Sequence, residues 1–222
     1  MTLQALVWDV DGTLAETEDC GHLVAFNRAF EELGLSWRWD AVLYGELLRV
    51  TGGKERLLAW WRRVDPQSAA TPAAAATVRR LHELKTAHYL ALLDSGAIAL
   101  RPGVQRLLEE AVAQGLRLAI ATTTTLDNVT RLLEVSLGAA GAGLFELIGA
   151  GDVVPHKKPA PDIYHWVLQR LALPADACLA IEDSAAGARA AQSAGLPVIV
   201  TRSRYTAGED VGAVLADLDG LG

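Results

Sequence analysis

Leu6-Val7-Trp8-Asp9-Val10-Asp11-Gly12-Thr13-Leu14 is the stretch on which the reading of the whole chain turns. Leu6, Val7 and Trp8 read as the end of a short apolar strand that stops at a carboxylate. Val10 separates Asp9 from a second carboxylate, Asp11, and Gly12 and Thr13 then turn the backbone. Two like charges about 4 Å apart, at an effective dielectric of about 20, repel by roughly 4 kcal/mol. Such a pair implies a cation, a raised pKa, or both. Taken by itself the stretch is equally an ordinary strand-ending turn, since Asp and Gly are common turn residues.

Outward from this strand the chain changes character twice. From about Glu18 to Leu33, Leu23, Phe26, Ala29, Phe30 and Leu33 recur at helical spacing, and Gly34 ends the run. A second helical piece follows Asp40, a glycine break spans Thr51 to Glu55, and a short helix carries Leu57, Leu58, Trp60 and Trp61. Pro66 to Ala76 reads as a loop in which Pro72 opens a helix running to about Leu93. No convincing strand falls between Glu16 and Gly96, and Trp37, Trp39, Trp60 and Trp61 read as packing residues. After residue 100 strands return: Leu116 to Ala121, Leu147 to Gly149, Cys178 to Ile181 and Pro197 to Val200, alternating with helices near 104–112, 127–137, 162 onward and 184–194. Together with the first strand this pattern predicts an α/β fold, a Rossmann-like doubly wound parallel sheet, with an α-helical cap inserted after its first strand. The predicted domains are 1–15 plus 97–222 for the core and 16–96 for the cap.

Composition narrows the partners. The 222 residues are 51% hydrophobic and 21% charged, enough to bury a core. A net charge of −7 with no basic block argues against nucleic acid and anionic membrane, which need counterion-releasing cationic surface. Cys20 and Cys178 form neither a disulfide framework nor a metal-ligand spacing, which fits a reducing cytosol. The apolar start from Leu3 to Trp8 is too short for a signal peptide, and no run approaches the ~18 residues of a membrane span. A cytoplasmic protein acting on a small metabolite is the expectation.

The polar residues collect at one edge. In an open parallel sheet, ligands bind beyond the carboxyl ends of the strands. Asp9 and Asp11, Thr122, and Glu182 with Asp183 all follow strands there. That many carboxylates require a hard cation, and with oxygen ligands and no local His or Cys set the expected ion is Mg²⁺. Taken alone, Thr122 reads as a helix N-cap and Lys158 as a solvated lysine. Beside the carboxylates, the Thr122 hydroxyl with the N–H groups after it, and the charge of Lys158, become candidates for holding a phosphate.

The four segments DVDGT at Asp9, Thr122 after LAIA, KKPAPD around Lys158 and IEDS at Glu182-Asp183 stand in the order and spacing of the haloacid-dehalogenase superfamily, which the chain resembles over nearly its full length. The resemblance implies Asp9 as nucleophile forming an aspartyl-phosphate, and Asp11 as general acid and then base. It also implies Mg²⁺ at Asp9, the Asp11 carbonyl and Asp183, with Glu182 a weaker ligand, and the phosphoryl group on Thr122 and Lys158. TLAET, the residues around His22 and Asn27, and TGGKER look like the CbbY-like branch, whose members dephosphorylate xylulose 1,5-bisphosphate in connection with the Calvin cycle and are often monomers. Glu16 and His22 flank the hinge after the catalytic loop and, with Gly52, Gly53, Lys54, Lys85 and Thr123, are the substrate-binding candidates. Two cap lysines and a glycine break suit a second anionic group on the substrate. β-Phosphoglucomutase and phosphoglycolate phosphatase share the motifs and stay open as alternatives. A non-enzymatic phosphoacceptor domain is disfavoured by the inserted cap and by an acceptor that follows the first strand.

Overall fold

Six strands form one fully parallel sheet: β1 (Ala5–Trp8), β2 (Arg117–Ala121), β3 (Leu147–Gly149), β4 (Cys178–Glu182), β5 (Val198–Thr201) and β6 (Ala216–Leu218). The computed structural model describes residues 2–138 and 141–222. Spatial order is β3-β2-β1-β4-β5-β6, so the winding reverses between β1 and β4, where such sheets open a ligand crevice. Both central strands are apolar up to the carboxylate that closes β4, because helices cover both faces. In register, Val7 stands between Ala119 and Ala180, and Trp8 between Ile120 and Ile181. This register carries Asp9 to the same sheet edge as Glu182.

The chain divides into two units, Met1–Glu16 with Ala99–Gly222, and Thr17–Ile98. The second unit is helical among its described residues. A wide π-type turn, Glu18–Leu23, runs into α1 (Val24–Glu32), followed by α2 (Ala41–Leu47), α3 (Gly53–Val64), α4 (Pro66–Ala69) and α5 (Pro72–Asp94). The single long helix read from Glu18 to Leu33 is therefore two pieces, the first wound with π geometry. The loop read from Pro66 to Ala76 contains the one-turn α4, begun by Asp65, whose side chain accepts from the Ser68 N–H at 3.1 Å. Trp39 is buried against Phe26, Phe30 and Tyr44, and its backbone exchanges two 2.8 Å hydrogen bonds with the Asn27 amide, which fits the packing role read for the tryptophans.

In the sheet unit, α6 (Val104–Ala113), α7 (Leu126–Leu137), α8 (Asp162–Leu171) and α9 (Ala185–Ser193) flank the strands. The α9 sequence is small because Gly187, Ala188, Ala190 and Ala191 are buried, which lets the helix lie close to the sheet. Strand β6 has no counterpart in the sequence reading: it is a three-residue edge strand, mostly exposed, with Asp217 at its centre, so it carries no apolar signal. Single-turn helices also occupy Gly141–Leu144, Gly151–Val153 and Ala175–Ala177, in the connections between strands and helices. The glycine-rich turn after α7 falls partly on residues 139–140, outside the described residues.

Candidate active site

The Asp9 N–H donates to the Ile181 carbonyl at 2.9 Å, extending the β1–β4 ladder by one residue and setting Asp9 beside the Glu182–Asp183 pair. The loop that follows is folded tightly on itself. The Val10 carbonyl accepts from the N–H groups of Thr13, Leu14 and Ala15 at 3.2, 2.9 and 3.2 Å. Gly12 adopts φ +80, and a Cβ there would stand 2.2 Å from Asp183 Oδ2. No other residue fits: the Asp-x-Asp-Gly turn needs glycine both for its left-handed backbone and for the approach of the Asp183 carboxylate.

Lys158 enters from the loop before α8 and is buried. Its Nζ donates to Asp9 Oδ1 at 2.7 Å, Glu182 Oε1 at 2.6 Å and the Ala121 carbonyl at 2.8 Å, satisfying all three of its N–H donors. The last of these ties it to the end of β2, immediately before Thr122. Burial, opposed by Lys158 and reinforced by the Glu182 and Asp11 charges, pushes the Asp9 carboxyl up to about 7. For Lys158 burial alone favours the neutral amine, yet the charges and hydrogen bonds of Asp9 and Glu182 win and raise its pKa. It is thus an ammonium at any pH of interest, not the solvated lysine of the isolated reading. Behind it the ring of Tyr164 lies 5.3 Å from Nζ, and the Tyr164 hydroxyl donates to Glu182 Oε1. Burial, followed by the Glu182 and Asp9 charges, holds that phenol well above its ordinary pKa, so it remains a donor.

Asp9, Glu182 and Asp183 each offer a carboxylate oxygen within 4.8 Å of the others, all three buried. With all three ionised, three carboxylates against one ammonium leave two negative charges in a low-dielectric site, the charge that a divalent cation offsets. Glu182 Oε2 is buried with no hydrogen-bond partner, an orphan acceptor of the kind a metal or its bound water would satisfy. Ser203 Oγ donates to Asp183 Oδ2 at 2.7 Å, with Thr206 Oγ1 at 3.4 Å from the same oxygen, which fixes the carboxylate's orientation. The donor set is all oxygen, which suits a hard cation. Glu182, read from the sequence as the weaker ligand, stands fully within the cluster; Asp11 does not join it through its side chain.

Thr122 is buried at the end of β2, its N–H donating to the Gly149 carbonyl at 2.9 Å. The helix cap is Thr125, whose Oγ1 accepts from the Asn128 N–H at 3.4 Å, so Thr122 is not the N-cap that it resembles in isolation. Instead its Oγ1 accepts from the Thr124 N–H at 3.3 Å, closing a turn in which Thr123 is half-buried. Glu16 lies in the sheet unit with Oε1 3.3 Å from Arg101 Nε. The other candidates belong to the helical unit. There Lys85 Nζ is 2.8 Å from His22 Nδ1, both buried, with His22 stacked on Tyr89 at 4.2 Å. Gly52, at φ +90, precedes α3, whose first turn holds Gly53 and Lys54. A Cβ on Gly53 would stand 2.9 Å from the His82 ring and 3.6 Å from Phe26, over which Lys85 Nζ also lies at 5.3 Å. The glycine break and Lys85 thus share Phe26 as a neighbour.

Four contributors escaped the sequence reading: Arg101, Tyr164, Ser203 and Thr206. Tyr164 stands two residues past the PAPD segment, where only the helical period marks it as facing the sheet. Arg101 was visible only as the neighbour of Pro102-Gly103.

The haloacid dehalogenase-like hydrolase family model matches residues 3–195, and the chain belongs to that family. It is an enzyme, a phosphatase of the haloacid-dehalogenase type. Among particular proteins it is 50% identical to "Protein CbbY, plasmid" of Cupriavidus necator over 220 residues, 99% of this chain and 86% of the relative. It is 39% identical to a "CBBY-like protein" of Arabidopsis thaliana, covering 98% of this chain and 69% of the other. The crystal structure of CbbY from Rhodobacter sphaeroides in complex with phosphate matches with a TM-score of 0.90 and 44% identity, covering 99% of this chain and 95% of that one. A mutant of the same protein, in complex with xylulose-(1,5)bisphosphate, matches equally.

Proposed function

We propose that this chain is a Mg²⁺-dependent phosphatase of xylulose 1,5-bisphosphate, working through an aspartyl-phosphate on Asp9. The observation that carries the chemistry is the buried Asp9 carboxylate held at 2.7 Å by Lys158 at the sheet's switch point. The bisphosphate complex of its structural relative supports the substrate. An Asp9 oxygen attacks phosphorus; the bond to the leaving sugar oxygen breaks, and that oxygen takes a proton from Asp11. Asp11, now a carboxylate, accepts a proton from the water that attacks the aspartyl-phosphate, releasing inorganic phosphate and restoring Asp9. The Lys158 ammonium holds Asp9 in place and offsets charge on the phosphoryl group through its own charge, while the Thr122 hydroxyl and the Thr123 N–H would hold the phosphoryl oxygens. Asp9, the Asp11 carbonyl, Asp183 and Glu182 would hold Mg²⁺, which when bound offsets the charge on those oxygens. The substrate-binding role of Glu16, His22, Gly52, Gly53, Lys54 and Lys85 belongs to the same proposal, with the helical unit as a specificity cap directed at the second phosphate.

The test is Mg²⁺-dependent phosphate release from xylulose 1,5-bisphosphate beside β-glucose 1-phosphate, glucose 1,6-bisphosphate and phosphoglycolate. The expected result is a preference in kcat/KM of about a hundredfold for the pentulose bisphosphate, equivalent to about 2.7 kcal/mol in transition-state binding. Asp9→Asn should fold and not turn over; activity like that of the wild type in this variant would refute the nucleophile. A flat profile overturns the substrate, and conversion of glucose 1-phosphate without phosphate release makes the enzyme a mutase.

A further inference from the structure

Arg101 joins the loop of Asp9 and Asp11 to the segment that follows β5. Its guanidinium is buried, with a side-chain exposure of 8%. Nη1 donates to the Gly12 carbonyl and, at 3.0 Å, to the Thr201 carbonyl, and Nη2 donates to the Arg202 carbonyl. Nε lies 3.3 Å from Glu16 Oε1, and the Arg101 backbone N–H donates to the Leu14 carbonyl at 2.8 Å. Gly12 belongs to the loop of Asp9 and Asp11. Thr201 ends β5, and Arg202 leads directly to Ser203, whose hydroxyl orients Asp183. The circuit closes at Gly12, where a Cβ would meet Asp183 Oδ2 at 2.2 Å and Ser203 Cβ at 3.1 Å.

We propose that Arg101 is a positioning residue that sets the separation of the Asp11–Gly12 backbone from the Asp183 carboxylate, and through it the affinity of the site for a divalent cation. It touches neither substrate nor reacting atoms. Only arginine suits the position, because its planar fork directs several N–H groups at fixed angles to carbonyls on separate loops. A lysine concentrates its donors on one atom. Groups that orient metal ligands from behind commonly alter metal affinity 10–100-fold. The inference rests on the Mg²⁺ reading above.

The experiment follows the rise in Tm of the full chain with Mg²⁺ concentration, starting from protein stripped with a chelator. Wild type, Arg101→Lys and Arg101→Met are compared, all assayed where the stripped protein is folded. Both variants are expected to need at least about tenfold more Mg²⁺ for the same rise. Mg²⁺ dependence within twofold of wild type in the folded variants overturns the proposal, even if the Tm of the stripped protein has fallen, since Arg101 is then structural only. If Arg101→Met does not fold, Arg101→Lys decides by the same criterion. Absence of any Mg²⁺ effect on the wild type refutes the metal reading itself and this inference with it; a wild-type effect matched by the variants refutes the inference alone.

Discussion

Tyr164 shows how much of this site is held by residues that do no chemistry. Its hydroxyl and the Lys158 ammonium share Glu182 Oε1, so that Glu182 Oε2 alone is left without a partner. Tyr164→Phe keeps the ring beneath Lys158 and removes only this donor. A hydrogen bond to a charged group is worth about 1.5–3 kcal/mol, and that loss is expected in urea unfolding. Lys158→Met should lose more, about 3–5 kcal/mol, because it strands Asp9 and Glu182 as unpaired buried charges. A Phe variant as stable as wild type would show that the Tyr164 hydrogen bond adds no net stability. At this scale the sequence displayed the candidate carboxylates and hid their supports. Asp9 and Asp183 stand in short polar runs against apolar strands, whereas Ser203 and Thr206 lie in an unpatterned loop whose distance from Asp183 only folding sets.

Among the elements, the short strand β3 depends on a clamp at its entry. Arg117, opening β2, donates through Nε to Glu146 Oε2 at 2.7 Å and through Nη2 to Oε1, while its Nη1 reaches the Leu171 carbonyl at the end of α8 at 2.8 Å. The Glu146 carboxyl lies below its ordinary pKa, first through the hydrogen bonds from Arg117 and then through its charge. A carboxyl lowered in the folded state adds stability above its unfolded pKa, and that stability disappears as pH falls through the folded value. Wild type should therefore exceed Glu146→Gln in Tm at pH 7, and the gap should close on the acid side of about pH 4. A gap that does not narrow as pH falls through and below the ordinary carboxylate range would assign the effect to packing. Long amphipathic helices and buried strands were legible as elements because their apolar spacing is a direct record of burial. β6 and α4 were not: one is an exposed edge strand held by its partner's backbone, the other a single turn nucleated by one capping carboxylate.

For the molecule as a whole, the two chain crossings out of the sheet unit start side by side. Ala15 bridges Leu100 in antiparallel fashion, and the Arg101 N–H donates to the Leu14 carbonyl. Replacing residues 17–98 by a short Gly-Ser linker should leave the sheet unit folded, seen as a cooperative thermal transition with α/β circular dichroism. That protein should keep slow Mg²⁺-dependent hydrolysis of a simple aryl phosphate and lose the preference for a bisphosphate; retention of the preference would place specificity in the sheet unit. The sequence by itself determined the strand–helix alternation and the interruption by a helical segment, through local periodicity, and marked the carboxylates at the strand ends, whose charge an apolar strand could not otherwise tolerate; Thr122 and Lys158 became candidates only beside those carboxylates. Tertiary structure alone decided that Glu182 belongs fully to the carboxylate cluster, that Lys158 is buried with all three donors used, and that Arg101 joins two segments each about ninety residues or more from it in the chain. Those outcomes depend on register and loop approach across the sheet, and no local pattern of residues carries a distance.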